Sequence, residues 1–177
     1  MADSGAAVER SEAGVPELVV VCGPPGVGKT TVSEGIVDRI DGELLRTDVV
    51  RNDVAPDPEY TPEERERVYD ELFARGRERI RRGESVVFDG TFQHSELRQR
   101  ARALAAELGA EFRSVKVECA EPVVRERIRA REGGESDADV EVHELIREGF
   151  DPLDGDHVTV DNSESRAHTE RQIDRHF

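Results

Sequence analysis

The stretch Leu18-Val19-Val20-Val21-Cys22-Gly23-Pro24-Pro25-Gly26-Val27-Gly28-Lys29-Thr30-Thr31 decides the reading of this chain. Its first five residues are a continuous apolar run without polar alternation, the pattern of a strand covered on both faces of a parallel sheet. From Gly23 to Thr30 runs a complete G-x-x-x-x-G-K-T. The glycines let the backbone curl into a nest of N–H donors, and the helix opening at Lys29 adds the positive end of its dipole. The loop is therefore suited to cradling a nucleotide's phosphates. Gly23, Pro24, Pro25, Gly26, Val27, Gly28, Lys29, Thr30 and Thr31 are the candidate nucleotide-binding residues. Lys29 reaches the β/γ oxygens, and the Thr30 hydroxyl can ligate Mg²⁺. A plain Gly/Pro turn would not need Gly28, Lys29 and Thr30 together.

Beyond this loop, apolar runs alternate with longer amphipathic segments. A helix is predicted from Lys29 to about Ile40, with Val32, Ile36, Val37 and Ile40 on one face and Gly42 just past its end. Glu43–Thr47 reads as a weak second strand. Thr61-Pro62-Glu63-Glu64 is a capping box with proline at the first helical position, opening a long helix that carries Val68, Leu72, Phe73 and Ile80 to a stop at Gly83. Ser85–Asp89 is a third strand, Ser95–Leu108 a helix and Phe112–Cys119 a fourth strand. An Arg-rich helix from about Pro122 to Arg131 breaks at Gly133-Gly134. A further helix, Ala138–Glu148, precedes a fifth strand, His157–Val160, and a closing helix starts at Ser165. Strands spaced by such helices mean βαβ units: an α/β fold with a parallel sheet and helices on both sides.

At 177 residues the chain is expected to hold one domain, 16–177, after a solvated acidic tail, 1–15. That tail has neither the basic nor the apolar region of a signal peptide, and Leu18–Cys22 falls far short of the ~20 residues of a membrane helix. A soluble, cytoplasmic protein is expected. Cys22 and Cys119 lack C-x-x-C or His-rich spacing, which argues against a zinc ribbon or disulfide framework and for packed thiols in a reducing compartment. The formal charge is −15, so the bulk surface repels nucleic acid and anionic membranes, and any phosphate contact must come from a local pocket. Only two of the 25 basic residues are lysines, a balance suggesting adaptation to high salt or a GC-rich genome.

The class of phosphate chemistry follows from what accompanies the loop. The third strand ends in Asp89-Gly90 with no glutamate after the aspartate to polarise water, and no N-K-x-D guanine-reading motif is present, so motor ATPases and GTPases lose ground. Asp48 and Arg51, in Arg46-Thr47-Asp48-Val49-Val50-Arg51, fall just past strand two, on the carboxyl edge where a doubly wound sheet binds ligands. A carboxylate there can take a proton from an acceptor hydroxyl. An arginine one turn on can bind the acceptor or steady the transferring charge; otherwise the two are a surface ion pair. Asp89 is placed to hold Mg²⁺ through water or to organise the loop. Thr91, Gln93 and His94 lie just beyond it and can line an acceptor pocket. Arg127 and Arg131 are i,i+4 neighbours that can swing onto phosphates as a lid closes, whereas Arg75, Arg79 and Arg82 read as surface charge paired with Glu71 and Glu78.

The combination GPPGVGKTT, RTDVVRND, VVFDGTF, ECAEPVVRERIRAR and SDADVEV resembles the AAA_33-type family of small P-loop kinases, over about residues 17–163. That family is related to the kinase domain of polynucleotide kinase and more distantly to chloramphenicol phosphotransferase and gluconate kinase. The resemblance implies a five-stranded parallel sheet in the order 2-3-1-4-5 and a mobile helical lid, about residues 122–139. It also implies that Asp48 is the general base, that Arg51 faces the acceptor or transferred phosphate, and that Arg127 and Arg131 belong to the lid. The glycine-broken lid tail Gly133-Gly134-Glu135 departs from the family pattern.

The function expected is ATP- and Mg²⁺-dependent phosphoryl transfer to a hydroxyl of a small molecule or nucleoside/nucleotide, with Lys29, Asp48, Arg51, Arg127 and Arg131 as catalytic residues and Thr30 and Asp89 at the metal. A polynucleotide 5′-hydroxyl kinase is the alternative within that class, although a −15 chain with 5% aromatics offers little to stack bases. A regulator that couples ATP occupancy to a partner protein is the rival from another class; such a switch needs no base at an acceptor mouth.

Overall fold

A computed structural model of the chain describes residues 14–131, 136–153 and 155–177. The elements in chain order are β1 (Glu17–Cys22), α1 (Lys29–Ile40), β2 (Glu43–Arg46), α2 (Thr47–Val54), α3 (Pro62–Arg81), β3 (Val86–Asp89), α4 (Ser95–Leu108), β4 (Glu111–Glu118), α5 (Glu121–Ala130), α6 (Ser136–Glu148), β5 (Val158–Asp161) and α7 (Arg166–Asp174). The five strands form one sheet in the order β2-β3-β1-β4-β5. All pair in parallel, with Val20 opposite Phe88 on one side and Ser114 on the other.

The unbroken apolar run of β1 is explained by its position, since the central strand is covered on both faces. Leu18, Val20 and Cys22 pack with Val68, Leu72 and Ile80 of α3 and Leu104 of α4. Val19 and Val21 pack with Val32 and Ile36 of α1 and Ile173 of α7. Thr61 caps α3 as its sequence indicates, its hydroxyl accepting the Glu64 N–H at 3.1 Å with proline in the first turn. Both thiols are free; Cys22 is buried, and desolvation pushes its pKa up to about 11.

β1 and β3 are neighbours whose connections leave in opposite directions, α1 toward β2 and α4 toward β4. This switch point opens a crevice at the carboxyl edge of the sheet. Hydrogen bonds from Gly23 N to the Thr91 carbonyl (3.2 Å) and from Gly90 N to the Val21 carbonyl (3.3 Å) fasten the two post-strand loops together there.

Two expectations need correction. The second strand stops at Arg46, and Thr47 opens a helix, α2, that the sequence reading lacked. Its run of Thr47, Val49 and Val50 is a poor helix former, but Val50 is 1% exposed and locks it onto the core beside α3. The Arg-rich helix ends at Ala130, and Arg131 adopts an extended conformation, so Arg127 and Arg131 do not share a helical face. Strand and helix ends otherwise shift by one or two residues. Most of the expected tail and the Gly133-Gly134 break lie outside the described residues. Among the described residues, no helix is long and apolar enough to cross a membrane.

Candidate active site

The loop after β1 meets the start of α1 in a cavity of about 560 Å³ whose walls include Gly28, Lys29, Thr30, Asp48, Asp89 and Arg131. Gly28 has φ 86°, and a β-carbon there would collide with the Asn162 side chain. Asn162 explains why the loop keeps its shape: its amide donates to the Val27 carbonyl (2.9 Å), and its own oxygen accepts from the Thr169 hydroxyl (2.7 Å). The end of β5 and α7 thus brace the loop from below. From above, His143 on α6 donates its Nδ1 proton to the Pro25 carbonyl at 2.7 Å.

Inside the cavity, Lys29 Nζ donates to the Pro24 carbonyl at 3.0 Å. Burial lowers its pKa, and the negative charge of Asp89 is the largest influence pushing back. Thr30 Oγ1 donates to Asp89 Oδ2 at 3.0 Å. Asp89 is 5% exposed, and desolvation raises its pKa against the pull of Lys29. Thr30 and Asp89 offer hard oxygen donors of the kind Mg²⁺ prefers. No group of three His, Cys, Asp or Glu that could hold a metal occurs among the described residues.

Arg46 at the end of β2 was not singled out by the sequence. Its Nη2 donates to Asp48 Oδ2 at 2.7 Å, while its buried Nε lacks a partner among the described residues. An unfilled donor on a residue lining the same cavity as Lys29 suits an anion such as a phosphate oxygen.

A second, larger cavity of about 720 Å³ lies between α2, α3, the Thr91–Leu97 segment and α6. It contains Arg51 as well as Thr91, Gln93 and His94. Thr47 and Thr91 line both cavities, which meet there. Asp48 and Arg51, one helical turn apart on α2, therefore part company: Asp48 lines the loop cavity and Arg51 the larger one.

Arg51 Nη1 pairs with Glu64, which is 3% exposed. Glu64 also accepts the N–H groups of Glu59 (2.7 Å) and Tyr60 (3.2 Å). Burial opposes its ionisation, but these donors and Arg51 outweigh burial and hold its pKa below the ordinary range. The Tyr60 ring lies 5.1 Å from the Arg51 guanidinium. Tyr60 and Phe92 are non-glycine residues with positive φ (55° and 44°), and α3 side chains secure both, Glu64 for Tyr60 and the Tyr69 hydroxyl for the Phe92 N–H (3.1 Å). Strain held this firmly beside a cavity is characteristic of functional sites.

The remaining sequence candidates distribute as follows. Pro25, Gly26 and Thr31 line the loop cavity; Pro24 and Val27 do not, and Val27 is 2% exposed. Gly23 lies against the Val117 carbonyl. Arg127 does not line the loop cavity, although its guanidinium lies beside Gly28, and its Nη2 donates to the Asn162 carbonyl at 2.7 Å. Arg75 pairs with Glu71 at 2.9 Å, Arg79 with Glu84 at 3.2 Å, and Arg82 with Glu78, as surface charge. Asn162 has one sequence signal, a polar residue directly after a buried strand on the ligand edge. Glu64 was visible only as part of a capping box, and His143 carries no signal.

The sheet order, the anion loop at its switch point and the adjoining cavity define a P-loop nucleotide-binding protein with a small-kinase fold. More narrowly, the chain belongs to the AAA_33 family, described as an AAA domain, which matches residues 18–153. An uncharacterized protein of Mycobacterium tuberculosis (strain ATCC 25618 / H37Rv) is 31% identical over 137 residues, 71% of this chain and 28% of that protein. The chain thus spans little more than a quarter of the length of that relative. Among solved structures, a sugar kinase from Janibacter sp. HTCC2649 aligns with a TM-score of 0.68 and 20% identity over 90% of this chain and 91% of its own. A gluconokinase from Sinorhizobium meliloti 1021 gives 0.65 and 23% over 90% of each chain. The Mycobacterium tuberculosis APS kinase, in complex with AMPPNP and APS, gives 0.70 and 16% over 91% and 96%.

Proposed function

We propose that this protein is an ATP-dependent kinase that transfers the γ-phosphoryl group to a hydroxyl of a small molecule or nucleoside/nucleotide. The observation carrying this reading is the pair of cavities that meet at Thr47 and Thr91, one built on the anion loop and the other with room for a second ligand. A nucleotide-gated regulator needs only the first. The kinase neighbours support the reading at the level of fold.

In this reading the N–H groups of the loop and Lys29 hold the donor phosphates, and Arg46 and Arg131, which line the same cavity, add positive charge. Mg²⁺ held by Thr30 and, through water, Asp89 would neutralise charge on the β- and γ-phosphates. Asp48, beside the seam, accepts the proton of the acceptor hydroxyl as its oxygen bonds to the γ-phosphorus and the bond to the bridging β-oxygen breaks. The products are a phosphomonoester and ADP. Arg51 faces the acceptor, held in position by Glu64. Arg127 acts through Asn162 on the shape of the loop rather than on the phosphates.

The test is consumption of labelled ATP with Mg²⁺ against a panel of hydroxyl compounds and a no-acceptor control, for wild type and Lys29→Ala. We expect at least one acceptor to raise turnover clearly above the control. Lys29→Ala should abolish it in folded protein, because it removes the loop's only cation. Wild-type turnover in folded Lys29→Ala would show that the loop has been misread.

A further inference from the structure

The wall of the larger cavity formed by α3 presents Thr61, Arg65 and Tyr69 at i, i+4 and i+8, one stripe along a single helix face. Toward the end of α3 and at its C-cap several arginines are answered by carboxylates: Arg75 by Glu71 and Asp53, Arg77 by Glu107, Arg79 by Glu84, and Arg82 by Glu78. In the cavity, Arg51 is answered by buried Glu64. Arg65 has no carboxylate within ion-pair distance among the described residues, although acidic residues outnumber basic ones 40 to 25 in the chain. The one carboxylate lining the cavity among the described residues, Asp139, lies on α6 and makes no ion pair with it.

Beside Arg65, the Tyr69 hydroxyl accepts the Phe92 N–H at 3.1 Å, which leaves its own proton free to donate. Burial pushes the Tyr69 pKa up to about 12, so the phenol remains a neutral donor. A guanidinium fork with a hydroxyl donor one turn along the same helix is the chemistry that binds a carboxylate or phosphate. Leu97, Val142 and Ile146 add an apolar patch to the same cavity.

Resting on the kinase reading, we propose that the acceptor carries an anionic group, carboxylate or phosphate, which Arg65 binds on the α3 wall while the hydroxyl to be phosphorylated lies at the Thr47/Thr91 seam. Arg65 is then a specificity-determining residue. It does not take part in the transfer itself.

The experiment compares matched acceptors that differ only in the anion, a sugar against its sugar acid and a nucleoside or sugar against its monophosphate, with wild type, Arg65→Ala and Arg65→Lys. For the preferred pair we expect the anionic member to have the higher kcat/KM. Arg65→Ala should erase about 10–100-fold of that preference, mostly through acceptor KM, with the KM for ATP unchanged. Arg65→Lys should restore part of it, because a point charge replaces the fork. The carboxylate and phosphate arms identify which anion is bound. Neutral acceptors used as well as anionic ones, or an Arg65→Ala variant that loses turnover equally on both members, overturns this proposal alone. Absence of turnover with every acceptor overturns the kinase reading and this proposal with it.

Discussion

Asp48 accepts hydrogen bonds from Arg46 at 2.7 Å and from the Val49 N–H at 2.9 Å, and its side chain is well exposed beside the seam of the two cavities. Its proposed task begins only when a hydroxyl must lose a proton, so Asp48→Asn should spare Mg·ATP binding while turnover falls by about 10²–10⁴-fold. Equal losses in nucleotide affinity and rate would move Asp48 into the metal shell. Arg51 permits a separate test, because Arg51→Ala strands a buried carboxylate at Glu64 as well as removing a group that faces the acceptor. We expect Arg51→Ala to lower both the melting temperature and kcat/KM. Adding Glu64→Gln should recover the melting temperature without the turnover, since the uncharged amide still accepts the Glu59 and Tyr60 N–H groups. A double variant that recovers turnover would make Arg51 a purely structural residue. The Arg51–Glu64 pair could not be read from the sequence: the two residues are thirteen apart, on different helices, and charge spacing reports only neighbours on one helix.

Among the elements, those with a strong local signal were legible and those held by tertiary contact were not. The anion loop is encoded by glycines and one lysine in contiguous sequence, and α3 by its capping threonine and proline. By contrast α2 is only eight residues long and carries three valines and a threonine, poor helix formers, so it depends on Val50 being buried beside α3. That single missed helix separates Asp48 and Arg51 between two cavities. Tertiary context also overrides propensity at Gly76 in α3. Alanine is the better helix former by about 1 kcal/mol. A β-carbon there, however, would come within 2.6 Å of Phe88 Cε1, in an aromatic cluster where Phe73 and Phe88 meet edge to face at 5.4 Å. Overpacking a core costs about 1–3 kcal/mol, so Gly76→Ala should be destabilised in urea unfolding despite its propensity. A more stable variant would mean that Phe88 yields without cost.

Across the whole molecule, the charge of −15 sits on a surface laced with short ion pairs, Arg77 with Glu107 at 2.6 Å and Arg100 with Asp70 at 2.7 Å among them. Exposed pairs of this kind contribute little each, so their loss to screening is small beside the relief of net repulsion. With a Debye length of about 10 Å at 0.1 M salt that shortens further as salt is added, we expect the melting temperature to rise from about 0.1 M to about 2 M KCl. A flat or falling curve would remove the case for adaptation to high salt. The fold class and the phosphate-binding loop were readable from the chain; of the larger cavity, Arg51, Thr91, Gln93 and His94 were named in sequence, but the α3 and α6 walls were not, because they come together with them only in three dimensions. The claim that this second cavity receives a phosphoryl acceptor is tested most directly by phosphorus NMR of the reaction with Mg·ATP and the most active hydroxyl compound. We expect a new phosphomonoester resonance that grows in step with ADP; growth of inorganic phosphate alone, at the same rate with and without the acceptor, would contradict it.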